Sequence, residues 1–141
     1  MKYLYSIKRK VIAGNKIART FDFPTANLRY YKRDKKLENG VYIVKVGVDK
    51  NILYGLAFVG TPQIIKKSNK RIEIFIFKYR GNLYSKVVKV NFLRKLRGVK
   101  NFKDIKSLKA GIKKDIAKAE KFLENPIFYP ARGRGLMVGF E

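Results

Sequence analysis

The chain has 141 residues, enough for one domain that can bury its own core. It contains no cysteine and no histidine, which excludes disulfides, thiolate metal sites, nucleophilic thiols, catalytic triads and His-ligated zinc. Acid–base chemistry therefore falls to carboxylates, lysines or tyrosines. Against 10 acidic residues stand 34 basic ones, a formal charge of +24 spread along the whole chain. That charge suits either attraction of phosphorylated small molecules or contact with a nucleic-acid backbone, the first being favoured. No apolar run approaches the roughly 20 residues of a membrane span. The expectation is a cytoplasmic monomer with no membrane partner.

In chain order, residues 3–13 alternate like a strand. Gly14-Asn15-Lys16 offers backbone amides and a cation to an anion, without a Walker-type loop. Pro24-Thr25-Ala26-Asn27 reads as a short polar turn. Its hydroxyl and carboxamide oxygens suit a magnesium–phosphate complex, although Pro, Thr and Asn are also ordinary turn residues. Residues 40–48 form a β-branched, aromatic strand, Asp49-Lys50-Asn51 a turn, and residues 52–60 a returning strand. A third strong strand covers 71–79, and Arg80-Gly81-Asn82 turns it into a hairpin partner over 83–92. Short strands at this spacing predict an antiparallel barrel or sandwich.

The period changes at Asp104, a candidate N-cap. Ile105, Leu108, Ile112, Ile116, Ala119 and Leu123 then recur at helical spacing, with a stop at Asn125-Pro126. One apolar stripe and a lysine-rich back place this helix against the barrel. The domain spans 1–124. Residues 125–141, centred on Ala131-Arg132-Gly133-Arg134-Gly135, form a tail that is either loosely attached or a phosphate-contacting arm.

Glu73 stands alone in an apolar strand. Strand alternation puts Glu73, Phe75, Phe77 and Tyr79 on one face and Ile72, Ile74 and Ile76 on the other. A carboxylate on a partly apolar wall is pushed toward general-base pKa values. The alternative is an ion pair between Glu73 and a lysine at the barrel mouth.

Taken together, Gly14 before Arg19-Thr20, Phe23-Pro24-Thr25-Ala26-Asn27-Leu28, Asn39-Gly40-Val41-Tyr42, Gly60-Thr61-Pro62, Ile72-Glu73, Leu83-Tyr84, the run Phe92-Leu93-Arg94-Lys95-Leu96-Arg97 with Phe102, and Asp115 with Ala119 resemble the riboflavin kinase family, from about residue 5 to 123. The resemblance implies a mainly β fold, a six-stranded antiparallel Greek-key barrel with a C-terminal helix. It implies transfer of the ATP γ-phosphoryl group to the 5′-hydroxyl of riboflavin, giving FMN and ADP, with Mg²⁺ or a similar divalent ion. Thr25 and Asn27 would then hold the metal. Gly14, Lys16, Arg19 and Pro24 would join them around ATP, Glu73 would be the catalytic base, and Arg97 and Phe102 would contact the flavin. Three family glycines are replaced here by Arg9, Ala18 and Asp22, in the segment expected to wrap the nucleotide phosphates, and Phe75 stands where a histidine is common. A non-catalytic flavin- or nucleic-acid-binding protein on the same barrel is the alternative. Without histidine the chain lacks the His-x-Gly-His signature of the adenylyltransferase half found in bifunctional relatives, so it reads as a stand-alone kinase or an excised module.

Overall fold

A computed structural model describes residues 3–13, 25–61, 69–79 and 81–124. Six strands follow in chain order: β1 (Tyr5–Lys10), β2 (Thr25–Arg29), β3 (Gly40–Val48), β4 (Asn51–Gly60), β5 (Arg71–Ile76) and β6 (Val87–Arg97). A 3-10 turn, Lys32–Asp34, sits between β2 and β3, and one helix, α1 (Ile105–Leu123), ends the described chain. All pairings are antiparallel, in the spatial order β1-β6-β3-β4-β5-β2. The sheet curls until its two edges meet. Just past β1, the Ile12 N–H donates to the Asn27 carbonyl at 2.8 Å, and the Arg9 guanidinium donates to the Arg29 carbonyl at 2.9 Å.

Strand alternation sorts the side chains into two cores. Inside the curl lie Ile7, Leu28, Val44, Val46, Ile72, Ile74, Val90 and Phe92, with Tyr42 edge-on to Phe92 at 5.5 Å. Outside it, Val41, Ile43, Tyr54, Leu56, Phe77 and Leu93 meet Ala119 and Leu123 of α1. Phe92 and Leu93, adjacent in sequence, bury on opposite faces by ordinary strand alternation, and the β3–β6 register shifts at Val41/Tyr42 and Ile43/Val44. Asp104 caps α1 as expected, its carboxylate accepting from the Ser107 N–H at 2.8 Å.

Several expectations are corrected. Pro24-Thr25-Ala26-Asn27 is not simply a turn: Thr25 opens strand β2, because Ala26 and Leu28 bury inside the curl and the backbone ladders against β5. The third strand stops at Ile76, since Lys78 adopts φ 54° and turns the chain away. Tyr79 consequently packs against the inner core instead of sharing the Glu73 face. The segment after residue 82 does not form a hairpin with β5. Its strand begins at Val87 and pairs with β1 and β3. Residues 3–13 supply only Tyr5–Lys10 as strand, and Ile105 at the start of α1 is exposed.

Arg9, which replaces a family glycine, is buried. It points inward beside Ile7 and Val11 and forms a buried ion pair with Asp34 at 2.7 Å. The Asp34 carboxylate also accepts from the Tyr5 hydroxyl and the Tyr31 N–H, both at 2.8 Å.

Candidate active site

Thr25, Asn27 and Arg29 alternate on the outer face of β2, opposite to Ala26 and Leu28. On β5 the same face carries Arg71, Glu73 and Phe75. Asn27 and Glu73 are direct cross-strand partners, a relation that puts Cβ atoms about 5 Å apart. The pairing continues across the sheet. Glu73 pairs with Phe58 of β4, Phe58 with Val41 of β3, and Val41 with Arg97 of β6. Asn27, Glu73, Phe58, Val41 and Arg97 therefore form one row across five strands, about 19 Å along the sheet at the usual strand spacing.

Within that row the polar groups differ in how they are satisfied. Asn27 is 4% exposed, and its carboxamide oxygen is buried without a hydrogen-bond partner among the described residues. An orphaned acceptor of this kind costs free energy unless a donor or cation reaches it. Glu73 makes no ion pair among the described residues, so the proposed lysine partner is absent there. Burial raises its pKa above the usual carboxylate value, and the nearby Arg71 charge only partly offsets this. Phe75 and Phe58 supply the apolar wall, with ring centroids 5.0 Å apart.

At the other end of the row, Arg97 is held by α1. Its Nε and Nη2 donate to the Asp115 carboxylate at 2.9 and 2.8 Å, a two-pronged grip. Its guanidinium lies 5.7 Å from the Phe102 ring centroid. Phe102 rests on Gly111, where a Cβ would come within 2.6 Å of the ring. Sequence reading missed Phe58, Gly111 and this use of Asp115. The available signal was Gly111 itself, a helix-interior glycine that costs roughly 1 kcal/mol relative to alanine and so points to close packing.

Of the remaining candidates, Gly14, Lys16, Arg19 and Pro24 lie outside the described residues, as do Ala18 and Asp22. Among the described residues no group of three or more His, Cys, Asp or Glu could hold a metal ion. The donors present are the Thr25 hydroxyl and the orphaned Asn27 oxygen. Hard neutral oxygens of this type fit Mg²⁺, which keeps much of its shell as water and phosphate.

The model of the riboflavin kinase family matches residues 1–123. The chain belongs to the riboflavin kinase family. It is 34% identical over 122 residues to the bifunctional riboflavin kinase/FMN adenylyltransferase of Haemophilus influenzae, covering 86% of this chain and 39% of that protein. The chain thus spans about two fifths of the length of the bifunctional relatives it matches. Riboflavin kinase from Trypanosoma brucei superposes with a TM-score of 0.65 at 21% identity, covering 94% of this chain and 88% of that one. A macrolide-efflux protein from Streptococcus pneumoniae gives 0.64 at 24% identity over 83% of this chain and 37% of that one. At these identities both structures speak to the fold alone, and both share it.

Proposed function

We propose that this chain is a riboflavin kinase, transferring the γ-phosphoryl group of ATP to the 5′-hydroxyl of riboflavin. Family membership supports the reaction class. The observation that carries the reading at residue level is the Asn27–Glu73 cross-strand pair: a buried, unsatisfied oxygen donor beside a carboxylate whose proton affinity burial has raised.

Glu73 accepts the proton of the ribityl hydroxyl as its oxygen bonds to the γ-phosphorus and the bond to the ADP leaving oxygen breaks. Little covalent work is left to the protein, so positioning and charge neutralisation dominate. Thr25 and Asn27 would hold Mg²⁺, which would neutralise phosphate charge. Phe58 and Phe75 exclude water beside the base, and Arg97 and Phe102 contact the flavin. Residues 1–124 make up the catalytic body and 125–141 a tail, working as a cytoplasmic monomer. The test is incubation with riboflavin and MgATP followed by chromatography. FMN and ADP appearing together is expected, and no FMN with any divalent ion overturns the reading.

A further inference from the structure

The outer surface of the sheet away from α1 has a character the kinase reading does not use. Ser6, Lys8 and Lys10 alternate outward on β1, Lys89 and Asn91 on β6, and Lys45 on β3, opposite to the buried Ile7, Val88, Val90, Val44 and Val46. Lys8 and Lys89 are direct cross-strand partners, as are Lys45 and Asn91. Like charges directly opposite each other destabilise a sheet. None of the four lysines makes an ion pair among the described residues, whereas Arg9, Lys86, Lys95 and Arg97 all do. The carboxylates are placed elsewhere: β1, β3 and β6 contain none, and the nearest at the rim, Asp49, is engaged by Lys86 at 3.0 Å.

Between the ammonium groups the floor is polar. The Ser6 hydroxyl donates to the Asn91 side-chain oxygen at 2.7 Å, which leaves the Asn91 amide hydrogens as donors toward solvent. Ammonium groups on three adjacent strands, a free amide donor and no local carboxylate match a polymer of phosphodiesters. A membrane-docking surface needs a field of bulky apolar side chains to enter the interface; here Tyr3, Leu4, Ile52 and Val87 stand exposed at the ends of the strands, and the face between them is polar. No exposed aromatic side chain lies on these strands to stack bases, so the chemistry reads phosphate and not sequence.

We propose that the Lys8, Lys10, Lys45 and Lys89 face is a sequence-independent docking surface for the phosphate backbone of nucleic acid, separate from the kinase site. It rests on no part of the kinase reading. The test is fluorescence anisotropy with a labelled single-stranded RNA of mixed sequence, titrated at several salt concentrations. Two variants of equal charge are compared, Lys8→Gln/Lys10→Gln/Lys45→Gln/Lys89→Gln on the sheet and Lys106→Gln/Lys113→Gln/Lys114→Gln/Lys118→Gln on the helix back. The sheet variant should flatten the slope of log affinity against log salt by about 3, from about 0.7 per lost phosphate contact. The helix variant should leave the slope close to wild type. Far-UV circular dichroism and thermal melts should be the same in all three proteins, which shows that both variants fold. Equal slopes for the two variants would reduce the effect to net charge and overturn the proposal. So would vesicles of equal parts phosphatidylserine and phosphatidylcholine depending on the four sheet lysines while RNA does not.

Discussion

Glu73 can be a base only if it is not a structural partner, and these two roles predict opposite behaviour on substitution. Glu73→Gln keeps the shape of the side chain and removes its basicity, so kcat should fall by about 10²–10⁴-fold. Because burial raises the folded-state pKa, the native protein binds more protons than the unfolded chain between the ordinary carboxylate pKa and the raised one. Glu73 therefore costs stability as pH rises through that window. Glu73→Gln should melt at or above the wild-type temperature at neutral pH, with the difference vanishing at low pH. Thermal melts across pH check this, and a marked drop in the neutral melting temperature would mean a structural ion pair. Thr25→Val and Asn27→Ala should instead raise the KM for MgATP with little change in that for riboflavin. Glu73 stands out in the sequence as a lone carboxylate among isoleucines and phenylalanines, although an ion pair with a lysine was the bland explanation of the same pattern. Its partnership with Asn27 was not legible, because a cross-strand register is a relation between distant segments that neither segment encodes.

At the scale of elements, segments with a strong local signal were read correctly. β3 was expected over residues 40–48, and α1 was expected from the Asp104 cap through Leu123. Two failures have one cause, the override of local signals by tertiary packing. Pro, Thr and Asn look like a turn until Ala26 and Leu28 find the inner core. The strands β5 and β6 look like a hairpin until β6 buries its alternation between β1 and β3. The seat of Phe102 was hidden as well, although the helix carrying Gly111 was plain. Gly111→Ala separates packing from propensity. The helix should gain roughly 0.8–1.0 kcal/mol, while the added carbon must push the Phe102 ring aside. The expected outcome is an unchanged or higher melting temperature with the KM for riboflavin raised on the order of tenfold and that for ATP unaltered. Steady-state kinetics with each substrate varied in turn would show it.

For the molecule as a whole, the seam where β1 meets β2 decides whether the sheet holds its curl, and Arg9–Asp34 fastens it. Burial of Asp34 alone would raise its pKa, but hydrogen bonds from Arg9, the Tyr31 N–H and the Tyr5 hydroxyl outweigh that and hold it below the ordinary carboxylate range. Its contribution to stability is therefore present above the unfolded-state pKa and lost as pH falls through the lowered folded value. Asp34→Ala, which leaves the Arg9 charge buried and unpaired, should cost about 3–5 kcal/mol at neutral pH. The gap to wild type in denaturant melts should narrow as pH falls through that range. This seam also keeps Asn27 beside Glu73, since Ile12 bonds to the carbonyl of the same Asn27. The account of one catalytic row on the outer face of a curled sheet is tested most directly by chromatographic assay of riboflavin with MgATP, wild type beside Glu73→Gln. It predicts FMN and ADP in equal amounts from the wild type and a rate lower by at least about a hundredfold from a fully folded variant. FMN formed equally fast by both proteins would contradict it.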